Sequence, residues 1–217
     1  MGNSYGTINA NMGIIHYDQT NNIFEQFLHD LKTSGQTKFF LETCNMSAAA
    51  CAAEAVGARW KYQTPIGPDG RELYGQDDFM AFFLYSMYGQ KKAPIVKDGI
   101  CENEVKENIA WVLTECASVV TETITASDGN DLIKKLDAAL FKGKAVVLSY
   151  LTDYNSGHFI TLVERNPSAK TFTIHDSWKG NNLCKKDGDR EVYPDSFFIS
   201  RCVGDRLRFI TVCRKEA

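Results

Sequence analysis

The hydrophobic pattern of this chain changes along its length, and that change restricts the fold more than any other feature of the sequence. Residues 45–56 are rich in alanine, the best helix former, and Gly57 follows as a natural helix stop. Apolar residues recur at helical spacing over residues 77–88, 104–117 and 131–140. The first two thirds of the chain are therefore predicted to be mainly helical.

Short apolar runs typical of β-strands gather in the last third of the chain. They cover residues 145–151, 158–164, 171–176, 196–200 and 207–213. Helices first and strands later are typical of an α+β domain rather than of an alternating βαβ fold. At 217 residues the chain fits a single domain, residues 1–217, in which residues 58–130 form a helical insertion or elaboration.

Composition argues against several functional classes. A formal charge of -3 gives no basic footprint for nucleic acid, and no apolar run reaches the length that spans a bilayer. The N-terminal residues lack the cationic and apolar segments of a signal peptide, which predicts synthesis in the cytoplasm without one. We therefore expect neither nucleic acid nor a membrane as a partner.

The cysteines and acidic turns predict neither a zinc site nor a disulfide framework. Seven cysteines are spread along the chain without CxxC pairs or Cys/His clusters at metal-ligand spacing. Residues 128–131 and 187–189 loosely resemble calcium loops, but neither has the spacing of an EF-hand, and solvated turns account for both. No cofactor is predicted, and calcium at one of these turns is the alternative.

Cys44 is the one cysteine that a role in the core does not explain. It precedes the alanine-rich helix, where unpaired backbone N–H groups and the positive end of the helix dipole stabilise a thiolate. The alanines that follow have little bulk, so the helix can pack closely on a sheet. A buried cysteine that happens to precede a helix is the alternative.

A predicted β-hairpin brings a base towards that cysteine. Folding the hairpin about Pro167 places His158 directly opposite Asp176, with their Cβ atoms close enough for the side chains to touch. An imidazole with an acceptor on its second nitrogen is what a nucleophilic thiol needs. A turn one residue longer would instead pair His158 with Ser177 or His175 and put Asp176 on the other face.

These segments resemble the papain-like cysteine peptidases related to bacteriocin-leader peptidases, family thirty-nine among the cysteine peptidases, and especially its phage and bacterial wall-lytic branch. The stretch Cys44-Asn45-Met46-Ser47-Ala48-Ala49-Ala50 is similar to the family's nucleophile segment. Gln19-Thr20-Asn21-Asn22 resembles its upstream Q-x-D-N element, and Gly157-His158 with Asp176-Ser177-Trp178 resembles its later signature. The departures are Ala50 for methionine, Asn21 for aspartate and Ser177 for proline.

The resemblance implies a papain-like fold and a Cys44–His158–Asp176 triad that hydrolyses amide bonds. It implies that Gln19 helps to hold the oxyanion, with Gln36 or Asn45 as alternatives, and it leaves Asn45, Gly157 and Trp178 as substrate-binding candidates. The implied substrate is a peptide or a peptidoglycan stem peptide, cut by a lytic enzyme released to act on the cell wall. The alternatives are a leader-processing peptidase, a deamidating effector and a non-catalytic binding module.

Overall fold

The structure is a computed structural model, and it describes residues 17, 30, 33–35, 43–62, 75–94, 102–178 and 191–216. Helices and strands follow one another in this order: α1 (Cys44–Ala55), α2 (Gly75–Gly89), α3 (Glu102–Cys116), β1 (Val119–Thr125), α4 (Gly129–Phe141), β2 (Ala145–Leu151), β3 (Gly157–Asn166), β4 (Thr171–Asp176), β5 (Glu191–Pro194), α5 (Asp195–Arg201), the 3-10 helix Gly204–Leu207 and β6 (Arg208–Arg214).

The strands form one six-stranded antiparallel sheet in the order β1-β6-β2-β3-β4-β5. One face of the sheet packs on α1 and α3, which in turn pack on α2, and Val147, Phe159 and Ile210 contribute to that core. The other face packs on α4 and α5 through side chains such as Leu148 and Ile160. The chain thus has a central sheet between two helical layers.

The predicted α+β class is confirmed. The helices predicted over residues 45–56, 77–88, 104–117 and 131–140 are present as α1 to α4. Gly57 has a positive φ of 63°, as a glycine that ends a helix often does. A helical N-terminal part packed on an antiparallel sheet, with a cysteine at the start of a helix, is what the resemblance to papain-like peptidases implies for the fold.

Three features of the sheet differ from the prediction, and one of them is strand β5 (Glu191–Pro194), which was not predicted. Residues 196–200, predicted as a strand, lie in helix α5, because Pro194 and Asp195 favour a helix start and the helix buries Phe198 in the core. Strand β1 was not predicted, and it places part of the segment 58–130 at one edge of the sheet, next to β6. That segment is therefore not purely helical, and its status as an insertion stays a prediction.

Among the residues that the structure describes, none of the helices combines the length and the apolarity that crossing a bilayer requires.

Candidate active site

Cys44 is the first residue of α1 and is buried, with 4% of its surface exposed. Because Cys44 begins the helix, its thiol lies at the positive end of the helix dipole. Thr43 occupies the N-cap position, and its side chain makes no capping hydrogen bond. The helix is buried along almost its whole length. The Thr161 hydroxyl of β3 donates a hydrogen bond of 2.6 Å to the Ala48 carbonyl, which shows how closely the small residues let helix and sheet approach.

The hairpin of β3 and β4 has a different register from the predicted one. Asn166 opposes Thr171 across the turn, and continuing that register would put Asp176 opposite Thr161, on the face that His158 does not share. A bulge between Leu162 and Glu164 shifts the pairing by one residue. As a result Asp176 opposes Ile160, and it lies diagonally across from His158 on one face of the sheet.

The register was wrong, but the predicted meeting of His158 and Asp176 occurs. His158 Nε2 lies 2.6 Å from Asp176 Oδ1, and both side chains are buried. The Trp178 backbone N–H donates to the same oxygen at 2.9 Å, and the Tyr150 hydroxyl donates to Asp176 Oδ2 at 3.2 Å. The carboxylate is therefore held through both of its oxygens.

His158 lies between a carboxylate and a thiol. Burial by itself would lower the pKa of His158, but the hydrogen bonds and charges of Asp176 and Cys44 outweigh it and raise that pKa to about 10. Because Nε2 is engaged by Asp176, Nδ1 is the nitrogen that remains for Cys44. The arrangement favours the protonated imidazolium form of His158 beside the thiol.

The other candidate residues lie in different surroundings. The Asn45 side chain is buried, and its Oδ1 accepts a 2.8 Å hydrogen bond from the Met46 N–H. The Trp178 ring lies against the His158 imidazole, with ring centroids 5.5 Å apart. His175 opposes Thr161 and is buried, and strand alternation directs its side chain away from that of Asp176. Gln19 and Gln36 lie outside the described residues.

Tyr150 was not identified from the sequence. It lies in β2 directly opposite His158, and its ring meets the imidazole edge-on with centroids 5.6 Å apart. One signal was present: a tyrosine within the apolar run 145–151 must find a partner for its hydroxyl if that run is buried.

A cluster of fully and partly buried polar side chains lies beside Gly157, and we call it the Glu102 cluster. Its members are Glu102, Lys106, Ser149 and Arg206. The Glu102 carboxylate accepts from Lys106 at 2.8 Å, from Arg206 at 3.2 Å and from the Ser149 hydroxyl. Lys106 also donates to the Asp205 carbonyl at 2.7 Å. A Cβ at Gly157 would lie 3.0 Å from Arg206 Nη2, so glycine lets this cluster approach β3.

The acidic turn at residues 128–131 is a helix cap. The Asp128 side chain accepts from the backbone N–H groups of Asn130 and Asp131 at the start of α4. These hydrogen bonds lower the pKa of Asp128. Within the described part of the chain, no group of three or more His, Cys, Asp or Glu side chains is arranged to hold a metal ion. Residues 187–189 lie outside that part.

No protein-family model matches the sequence, and neither does any curated protein to which it was compared. Among solved structures, the chain is similar to the Pseudomonas avirulence protein AvrPphB, with a TM-score of 0.37 and 12% identity over 94% of this chain and 97% of that chain. A likeness at this level carries no information on activity. The functional interpretation therefore depends on Cys44, His158 and Asp176.

Proposed function

We propose that this protein is a cysteine peptidase that hydrolyses amide bonds through Cys44, His158 and Asp176. The observation that carries the proposal is the position of His158, with Nε2 2.6 Å from Asp176 Oδ1 and the Cys44 thiol as its other hydrogen-bonding partner. The raised pKa of His158 supports a protonated imidazole beside Cys44. Cys44 is thus assigned as nucleophile, His158 as acid and base, and Asp176 as the group that orients His158.

The reaction follows from these positions. His158 Nδ1 accepts the thiol proton of Cys44, and the sulfur attacks the amide carbonyl carbon and forms a carbon–sulfur bond, which places negative charge on the carbonyl oxygen. The carbonyl double bond then re-forms from the oxyanion and the carbon–nitrogen bond breaks. His158 Nδ1–H gives its proton to the leaving amine. Water then attacks the thioester while His158 accepts a proton from it. The carbon–sulfur bond breaks, the carboxylic acid leaves, and His158 returns a proton to the sulfur, which restores the thiol of Cys44.

The backbone N–H of Cys44 is the proposed donor to the oxyanion, and the sequence resemblance adds Gln19. A preorganised donor of this kind contributes roughly 3 kcal/mol to stabilising a transition state. Gln19→Ala is therefore expected to lower kcat by about a hundredfold or more. If Gln19→Ala is silent while Gln36→Ala shows that loss, the second amide is the donor.

Thiol reactivity tests the proposal without a substrate. At pH 6 iodoacetamide should alkylate Cys44 much faster than the other six cysteines, and His158→Ala should remove that difference. Cys51 lies in the same helix and is also buried, so Cys51→Ala is a matched control that should keep the fast labelling. Equal, slow labelling of all seven thiols would favour the non-catalytic binding module.

For the substrate we propose the stem peptides or cross-links of peptidoglycan, on the strength of the resemblance of residues 44–50 and 157–178 to the wall-lytic branch. The wild-type protein should clear purified wall material, and Cys44→Ala should not. Cleavage of a double-glycine leader peptide without clearing would identify a processing peptidase instead. Release of ammonia from a glutamine side chain, with no chain cleavage, would identify a deamidating enzyme.

A further inference from the structure

Tyr150 is a buried polar side chain that touches the site but has no part in the reaction described above. It lies in β2 with no exposed surface, directly opposite His158. Its ring is perpendicular to the imidazole, with an interplanar angle of 88°. On its other side the ring packs edge-on against Phe197 of α5, with centroids 5.1 Å apart. The position of the phenol ring is therefore fixed by packing.

The Tyr150 hydroxyl is aimed at the oxygen of Asp176 that His158 does not use. It donates to Oδ2 at 3.2 Å, whereas His158 and the Trp178 N–H both bind Oδ1. An ionised carboxylate only accepts hydrogen bonds, so the hydroxyl must be the donor. Rotation of the carboxylate would break the bond to Tyr150 as well as the bond to His158.

The two neutral donors to Asp176 differ in what they anchor it to. Trp178 is two residues from Asp176, so its N–H moves with the same segment of chain. Tyr150 belongs to a different strand, and that strand also pairs with the backbone of His158. The hydroxyl thus ties the carboxylate to the part of the sheet that carries the imidazole.

We propose that Tyr150 is a positioning residue for the reaction of Cys44. Its hydroxyl holds Asp176 Oδ2, which keeps Oδ1 on His158 Nε2 and so keeps Nδ1 directed at the thiol. The catalytic meaning of this role rests on the proposed function. The hydrogen-bonded chain from Tyr150 through Asp176 to His158 can be tested independently of it.

Tyr150→Phe removes only the hydroxyl and keeps the ring packing. We expect the rate constant for alkylation of Cys44 by iodoacetamide at pH 6 to fall about tenfold, since a hydrogen bond to a charged group is lost. With a cleavable substrate, kcat should fall by a similar factor while KM stays the same. Tyr88→Phe is the matched control, because Tyr88 is also a buried tyrosine and its hydroxyl accepts a 2.6 Å hydrogen bond from Asn108. It should change neither quantity.

A double-mutant cycle separates positioning from general destabilisation. In an Asp176→Asn background the hydroxyl no longer holds a charged group, so adding Tyr150→Phe should change the alkylation rate by less than about twofold. Fully additive losses would overturn the proposal. Thermal unfolding of each variant verifies that the measured protein is folded.

Proton NMR of the His158 Nε2–H reports on the geometry directly. This proton bridges to Asp176, so its resonance should move upfield in Tyr150→Phe and stay in place in Tyr88→Phe. An unchanged resonance in Tyr150→Phe overturns the proposal. If the wild-type protein shows neither hydrolysis nor selective alkylation, the proposed function fails, and the resonance still decides whether Tyr150 positions the pair.

Discussion

His158 and Lys106 are two buried nitrogen bases, each beside a carboxylate, and their pKa values move in opposite directions. Burial lowers both pKa values. At His158, Asp176 and Cys44 outweigh burial, and the pKa rises to about 10. At Lys106, burial outweighs the hydrogen bond and charge of Glu102, and the pKa falls below that of a free lysine.

The surroundings of the two carboxylates explain the difference. Glu102 is shared between Lys106, Arg206 and Ser149, and the positive charge of Arg206 also lowers the pKa of Lys106. The two further donors to Asp176 described above, the Tyr150 hydroxyl and the Trp178 N–H, are neutral. The charge of Arg206 thus opposes the protonation of Lys106, whereas at His158 the interaction with Cys44 adds to that with Asp176. Four predictions test this division between a chemical site and a structural cluster.

The largest effect is expected from Cys44→Ala, which removes the proposed nucleophile. Activity should fall by roughly a millionfold, the scale of loss when a nucleophile is deleted from a triad. The free energy of unfolding should change by only about 1 kcal/mol, because the substitution deletes a single buried sulfur atom. A kinetic assay measures the activity, and urea unfolding measures the free energy of unfolding. Retained activity would exclude Cys44 as the nucleophile.

Glu102→Ala is expected to have the opposite profile. It leaves Lys106 buried without its carboxylate, which should lower the free energy of unfolding by about 3 to 5 kcal/mol. Iodoacetamide should still alkylate Cys44 rapidly in the folded variant. Glu107→Ala is the matched control, since the 3.5 Å contact of Glu107 with Arg208 is a surface pair worth less than about 1 kcal/mol. Equal losses in the two variants would show that the Glu102 cluster does not stabilise the fold.

The pH dependence of stability should distinguish the two bases by sign. An unfolded histidine has a pKa of about 6.5, so between that pH and about 10 the folded state binds more protons at His158. The His158 contribution is fully present below about pH 6.5 and is lost as the pH rises through about 10. Lys106 has a lowered pKa, so it acts in the opposite direction and favours the folded state as the pH rises.

Urea unfolding between pH 6.5 and 10 measures this dependence. The fall in stability with rising pH should be shallower in His158→Asn than in the wild type, and steeper in Lys106→Met. A His158→Asn curve parallel to that of the wild type would mean that the raised pKa of His158 is not coupled to folding.

The sequence was sufficient to predict the helices that position Cys44, because alanine content and helical spacing are local properties. It was also sufficient to predict that His158 and Asp176 share a face of the sheet. The predicted pairing was wrong, however, since Asp176 opposes Ile160 rather than His158. No local sequence signal specifies the bulge between Leu162 and Glu164, which brings Asp176 back to the face of His158. The roles assigned to Cys44, His158 and Asp176 stay predictions until activity is measured.

Residues 196–200 and the Glu102 cluster show where reading the sequence failed. A short apolar run such as residues 196–200 fits a strand or a buried helix, and only the core around Phe198 decides between them. Glu102 and Ser149 are 47 residues apart and meet only because α3 packs near β2. Contacts of this kind depend on the tertiary arrangement, which no pattern of neighbouring residues contains.

The smallest effect is expected at Gly157, where the chemical site and the structural cluster adjoin. An added Cβ would lie 3.0 Å from Arg206 Nη2, which is the end of a flexible side chain and can move away. Gly157→Ala should therefore cost about 1 kcal/mol of stability through the strained contact of Arg206 with Glu102. Gly89→Ala is the control, since no atom lies within 4 Å of its added Cβ. If Gly157→Ala slows the alkylation of Cys44 more than about tenfold at unchanged stability, Gly157 serves the chemical site and the division between the two regions is wrong.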